Sequence, residues 1–417
     1  MRFAFVTPRY GADISSGAEH ACRLIAEQVS RRHDVEVLTT CARNDDGWKN
    51  DYSEGVDRVR GALVRRFAIS QVHNSRPAPM EVPRIQADEL EWIKRAGPWS
   101  PGLIEYLKRQ CRSYDAIVFF SLATPLTFQG LRVAPDRSVL FPHLRLQPEL
   151  RFGVLGEALS AVGAIGYLSA FERRLMRSYL RIDARHEEIV GIGVDPSPEQ
   201  SYPRHQQDPA DTLASEDEED DEAQRKESTY LTGRGIPFRR RHRLYGSFAL
   251  YGGRVEPDNG SEEMLEYFDT FAAEDHETAL VLMGVKMIKV PDERYIRLAG
   301  VLPERERMIA YEAADVTIAP ASDDLTAQPV LESFAVGTPV LACAGNEAAV
   351  EHCRSANGGL YYANRDEFVR ALRLITTNNR LRERLSANGR NYIRQHFRWD
   401  AVLGRFDRLV SRVRHRV

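Results

Sequence analysis

Apolar residues fall in short runs separated by amphipathic stretches along the first half of the chain. Phe3-Ala-Phe-Val-Thr7 reads as a strand, followed by a loop carrying Gly11 and Gly17. Ala18 to Val29 has Cys22, Ile25, Ala26 and Val29 at helical spacing. Val35–Thr39, Ala116–Phe120, Val139–Phe141 and Ile165–Leu168 predict further strands, with helical patterns between them. Such strands are apolar almost throughout, so both faces are expected to be buried, as in a parallel sheet covered by helices. The rhythm restarts at Phe248–Tyr251, then a helix over Ser261–Phe271, then strands at Ala279–Met283, Asp315–Ala319 and Pro339–Ala342. Two β/α domains in tandem are expected.

Between them, about Pro198 to Lys226, the pattern disappears. Ser215-Glu-Asp-Glu-Glu-Asp-Asp-Glu222 ends in seven consecutive carboxylates, which repel one another and cannot bury. Arg239-Arg-Arg-His-Arg243 follows closely. The expected division is 1–196, a disordered acidic and basic linker over 197–243, and 244–398, with a last helix over 399–417. The acidic run is a solvated insertion or an electrostatic arm for a basic partner.

Composition narrows the class. The 417 residues carry 57 Lys plus Arg and 60 Asp plus Glu, a net charge of −3, which argues against a strongly basic nucleic-acid binder. Five scattered cysteines without C-x-x-C spacing argue against a zinc site or disulfide framework and fit a reducing cytoplasm. Pro8 and Arg9 interrupt the first apolar run too early for a signal peptide. Val154–Phe171 holds Glu157 and three glycines, and reads as a buried helix and strand rather than a membrane span.

Candidate chemistry lies at strand ends. Leu250-Tyr-Gly-Gly-Arg254 places two glycines and an arginine after a strand and before a helix. Glycines admit close backbone approach, and a helix N-terminus with Arg254 favours an anion such as a diphosphate. A turn with a surface arginine fits the same residues. Further on, Asp324 lies in a loop and Glu332 eight residues later in a helix that Gly337-Thr-Pro339 ends. Both carboxylates can face one ligand, or both can be solvated.

Taken together these stretches resemble glycosyltransferase family 4, retaining sugar-nucleotide-dependent enzymes of GT-B fold. The resemblance covers nearly the whole chain. It rests on Thr7-Pro-Arg-Tyr-Gly11, Ser16-Gly-Ala-Glu19, Val190-Gly-Ile-Gly-Val-Asp195, Gly252-Gly-Arg254, Ala314-Asp-Val316, Leu331-Glu-Ser-Phe-Ala-Val-Gly-Thr-Pro-Val340 and Asn357-Gly-Gly-Leu-Tyr361. It implies an α/β protein with two Rossmann-like β/α domains facing each other across a cleft. The donor, a UDP- or GDP-sugar, would lie against the second domain and pass its sugar to a hydroxyl acceptor, in polysaccharide, glycolipid or cell-envelope glycan synthesis. Glu332 would bind the ribose hydroxyls, Asp324 the donor sugar and Arg254 the diphosphate. Gly17 would approach from the N-terminal side, Gly300 and Val301 would lie near the base, and the helix from Trp399 would return to the first domain. No metal is required by this route.

Three positions depart from the family's pattern. Asp324 stands where a Glu is usual, and Asn259 where a Lys is usual, with Lys286 or Lys289 as candidate substitutes. A histidine is expected at Arg145, while His143 lies two residues earlier, as a cleft residue or an ordinary strand-end histidine. These departures motivate the alternative of a catalytically weakened or silent GT-B-fold protein that serves as a binding or partner subunit. A nucleotide-sugar epimerase or phosphorylase of similar fold would need catalytic residues of its own. Arg173, Arg174, Arg177 and Arg181 form a basic helical stripe, consistent with a lipid-linked acceptor and peripheral attachment to the cytoplasmic membrane face, or with a solvated helix. Arg412, Arg414 and Arg416 support a surface helix with or without a membrane.

Overall fold

The computed structural model describes residues 1–14, 17–44, 47–70, 86–122, 124–144, 148–160, 162–180, 186–195, 235–256, 259–321 and 326–414. The acidic run 215–222, Asp324, Arg145, Arg181 and Arg416 lie outside the described residues. The chain divides into two compact units, Met1–Gly193 with Trp399–Val417, and Val194–Arg398.

The first unit is built on eight strands, β1 (Arg2–Val6), β2 (Asp34–Thr40), β3 (Gly55–Val59), β4 (Ala62–Phe67), β5 (Ala116–Phe120), β6 (Ser138–Phe141), β7 (Ala164–Tyr167) and β8 (Glu187–Ile189). They are ordered β3-β4-β2-β1-β5-β6-β7-β8. Every pairing is parallel except β3 with β4. The central strands are buried on both faces, as their unbroken apolar runs require. The helix Gly17–Val29 turns Ala18, Ala21, Cys22, Ile25, Ala26 and Val29 inward. On the same core lies the helix Trp399–Arg414, whose Phe406 ring stacks within 6.0 Å of Phe5 and 6.4 Å of Phe141. Trp399 rests against Gly193, where a Cβ would overlap its indole. Asp407 and Asp400 tie this helix to His33 and Arg32.

In the second unit six strands, β9 (Phe248–Gly252), β10 (Ala279–Met283), β11 (Ile296–Gly300), β12 (Val316–Ala319), β13 (Val340–Cys343) and β14 (Gly359–Tyr362), are all parallel in the order β11-β10-β9-β12-β13-β14. Phe268 and Phe271 of the helix Ser261–Ala272 and Phe368 of the helix Arg365–Thr377 fill one face.

One boundary is corrected. The expected linker reaches to 243, but Ile236–His242 is a helix of the second unit. Its arginine cluster is in part built into that unit. Arg239 is buried and donates to the carbonyls of Gly246 and Ala313 at 2.8 and 2.6 Å, and to Asp315 at 3.1 Å. Asp315 also accepts from the Phe248 amide at 3.0 Å. That aspartate therefore pins the starts of β9 and β12, at the edge of the sheet opposite the strand ends that carry the candidate chemistry.

Candidate functional site

In a parallel sheet the C-terminal strand ends lie along one edge, where the following loops gather. In the second unit this edge collects Gly252, Met283, Gly300 and Ala319. The loops there are stitched by backbone bonds. The Gly253 amide donates to Met283, Gly284 to Gly300, Val255 to Val285 and Met287 to Val255. Val255 and Lys286 form a bridge. Gly284 has φ +139°, and a side chain there would overlap the Gly253 carbonyl oxygen, so the close approach requires glycine. Gly260, at φ +66°, sits against the Ala321 backbone and brings the start of the helix Ser261–Ala272 to the loop after β12.

Four of the expected residues gather along this edge. Arg254 follows β9, its exposed side chain 3.0 Å from Glu256. Lys286 is exposed beside the same turn. Val301 follows β11 and is 72% exposed. Glu332 lies in the helix Gln328–Val336, which follows β12. Gly337, with φ +86°, ends that helix as expected.

Glu332 has partners that spacing along the chain does not announce. It is only 5% exposed. Arg307, from the helix Glu304–Ala313, donates Nε to Oε2 at 2.9 Å and Nη2 to Oε1 at 2.7 Å. Gln328 Nε2 adds a bond to Oε1 at 3.0 Å. The buried Tyr311 of the same helix has its hydroxyl against Gly252, which links this cluster to the glycine turn. Burial pushes the Tyr311 phenol well up, and the nearby Glu332 adds to the rise.

Asn259, where a cation is usual in the family, is a structural donor here. Its side-chain amide donates to the Arg254 carbonyl, and to the Tyr251 hydroxyl at 3.1 Å. Its oxygen accepts from Ser261. The Tyr251 hydroxyl donates to the same Arg254 carbonyl at 2.7 Å. Asn259 thus clamps the turn that presents Arg254. Asn259→Ala should lower unfolding stability by about 1 kcal/mol in a denaturant titration, the usual net worth of such bonds. Asn259→Lys should leave nucleotide affinity no higher than in the parent, because the added charge comes with loss of the clamp. A rise in affinity by calorimetry would show instead that the missing cation matters more.

The remaining expected residues belong to the first unit. Gly17, at φ +78°, begins the helix Gly17–Val29. His143 follows β6 in the left-handed region, with φ 45°. Its backbone is fixed by Glu172, which sequence reading passed over although Ser169-x-x-Glu172 is a helix-start signature. The Ser169 hydroxyl accepts from the Glu172 amide at 3.0 Å. The Glu172 carboxylate accepts from the amides of Leu168 at 2.7 Å, Leu144 at 3.1 Å and His143.

Burial pushes the Glu172 carboxyl from 4.5 up to about 7, against the lowering effect of those amides. The folded state then holds a proton that the unfolded chain releases near 4.5. This group's contribution to stability therefore falls as pH rises between about 4.5 and 7. Urea titrations across that window should show the decline in the parent and a flatter dependence in Glu172→Gln. Equal slopes would remove Glu172 as its source.

Among the described residues no cluster of His, Cys, Asp and Glu has the makings of a metal site, and no helix is long and apolar enough to cross a membrane. Within the basic stripe Arg177 is paired with Glu187 at 2.7 Å. In the last helix Arg412 lies 4.0 Å from Glu188.

Residues 237–392 match the family model of glycosyl transferases group 1. The whole chain is similar to solved structures. HepE from Anabaena, in complex with UDP, superposes with a TM-score of 0.68 at 12% identity, covering 99% of this chain and 100% of that one. Sucrose-phosphate synthase from Thermosynechococcus elongatus gives 0.63 at 14%, over 99% and 98%. WaaG, a glycosyltransferase involved in lipopolysaccharide biosynthesis, gives 0.61 at 15%, over 98% and 99%. At such identities these likenesses speak to fold. The chain has the GT-B fold of two Rossmann-like units, and its residues 237–392 form a glycosyl transferases group 1 domain, the domain of a glycosyltransferase.

Proposed function

We propose that the chain is a retaining, metal-independent transferase that moves a sugar from a UDP- or GDP-sugar to a hydroxyl acceptor. The observation that carries this reading is the gathering of Gly252-Gly253-Arg254, Lys286 and the Arg307–Glu332 pair along the C-terminal strand edge of the glycosyl transferases group 1 domain. HepE, similar in fold, has been solved with UDP and with UDP-glucose, which supports a nucleotide-sugar donor.

In this reading Arg254 leaves Glu256 for the diphosphate, and Lys286 adds a second cation from the neighbouring loop. Glu332 accepts from ribose, and Val301 lies by the base. Bond breaking at the anomeric carbon leaves negative charge on the diphosphate, where fixed cations and the start of the helix Ser261–Ala272 stabilise it. The leaving phosphate takes the proton of the acceptor hydroxyl on the same face of the sugar, so neither a side-chain nucleophile nor a metal enters. Asp324 is assigned to the donor sugar, and Gly17 and His143 belong to the same proposal. A lipid-linked acceptor and work at the cytoplasmic membrane face belong to the same proposal.

The silent-partner reading draws on Asp324 and on Asn259, which is committed to the turn. Donor hydrolysis, followed as sugar release from UDP- and GDP-sugars, separates the two. Turnover that disappears in Arg254→Ala supports the transferase. Nucleotide binding with no turnover toward any sugar or hydroxyl acceptor favours the silent partner.

A further inference from the structure

Resting on the reading that Glu332 meets the donor ribose, we propose that Arg307 and Gln328 restrict Glu332 to a single ribose hydroxyl and so set which hydroxyl of the nucleotide is read. A carboxylate offers about four acceptor positions, two on each oxygen. Oε1 already accepts from Arg307 Nη2 at 2.7 Å and Gln328 Nε2 at 3.0 Å. Oε2 accepts from Arg307 Nε at 2.9 Å. Among the described residues one position is left without a donor, on Oε2.

A cis-diol normally clamps a carboxylate by donating one hydroxyl to each oxygen. That mode is closed here, because Oε1 is full. The fork geometry of the guanidinium holds both oxygens at once and resists displacement. Arg307 is also three-quarters buried, with a side-chain exposure of 27%, so the pair is better shielded than a surface ion pair. Arg307 and Gln328 are thus specificity-determining residues that act through Glu332.

The test is calorimetric titration of the full chain with UDP, 2′-deoxy-UDP and 3′-deoxy-UDP, or with the guanine series if UDP does not bind. In the parent, one deoxy analogue should lose about tenfold or more in affinity, the worth of one hydrogen bond to a charged group. The other should bind nearly as UDP does. In Gln328→Leu an acceptor position on Oε1 opens, and both analogues should then be weakened. Arg307→Met should do the same. Gln328→Leu carries the test if that variant does not fold, since it leaves the ion pair in place.

Loss with both analogues in the parent, or with neither, would overturn the restriction. So would a Gln328→Leu protein that still distinguishes only one hydroxyl. Absence of binding by every nucleoside diphosphate is a different result, which removes the donor reading and this inference with it.

Discussion

Asp315→Ala should lower the unfolding stability of the second unit by about 3–5 kcal/mol, the cost of stripping one partner from a buried ion pair. Asp315 and Arg239 are 7% and 6% exposed and lie 3.1 Å apart. The substitution takes the Asp315 carboxylate from the guanidinium, which keeps its bonds to the carbonyls of Gly246 and Ala313, and also frees the Phe248 amide that opens β9. Arg239→Leu combined with Asp315→Leu should lose less than the single alanine change, because the buried Arg239 charge is removed with its partner and only the more exposed Arg382, 3.9 Å from Asp315, loses a carboxylate. Denaturant unfolding of the three proteins measures this. A double variant as unstable as Asp315→Ala would show that hydrogen bonding, rather than the buried charge, dominates. Asp315 belongs to one of the motifs that carry the family resemblance, yet its partners give it a structural part at the far edge of the sheet.

The second large effect is separable from stability. Arg254→Ala should weaken nucleoside diphosphate binding by about 10- to 100-fold, the worth of a charge-assisted bond of about 1.5–3 kcal/mol. The same change should barely alter unfolding, because the Arg254 side chain is 55% exposed and its pairing with Glu256 is a surface one. Calorimetry and a denaturant titration on one preparation give both values. Unchanged affinity would place the diphosphate elsewhere on the strand edge, with Lys286 the next residue to change. A large loss of stability would mean that the arginine holds the turn rather than the ligand.

The sheet centres were legible because burial on both faces forces unbroken apolar runs. Phe3–Val6, Ala116–Phe120 and Ala279–Met283 needed no other signal. The strands that escaped lie mostly at sheet margins. β3 reads Gly-Val-Asp-Arg-Val and is exposed almost throughout, β8 begins Glu-Glu, and β11 and β14 are the two edges of the second sheet. Edge strands face water on at least one side, so their composition resembles that of loops. β4, next to the margin, alternates buried and partly exposed positions and carries two arginines.

The same logic divides the site. Gly252, Arg254 and Glu332 stood out as candidates because the motifs that carry the family resemblance are local in the chain. Arg307 was not, since it stands 25 positions from Glu332 on another helix and only the fold brings them together. Asn259 was read as a missing cation, although its amide is the clamp of the arginine turn. A single sequence shows which charge is absent but not which backbone carbonyl the replacement satisfies.

The most direct test of the donor reading is the melting temperature of the purified protein against UDP, GDP and their sugar conjugates at millimolar concentration. A ligand that binds only the folded state adds about 2.7 kcal/mol at 100 times its dissociation constant, so a true donor must raise the transition. A rise is expected with either the uridine or the guanosine series, reduced or abolished in Arg254→Ala and in Glu332→Gln. No rise with any of these nucleotides, in protein shown to be folded, would contradict it.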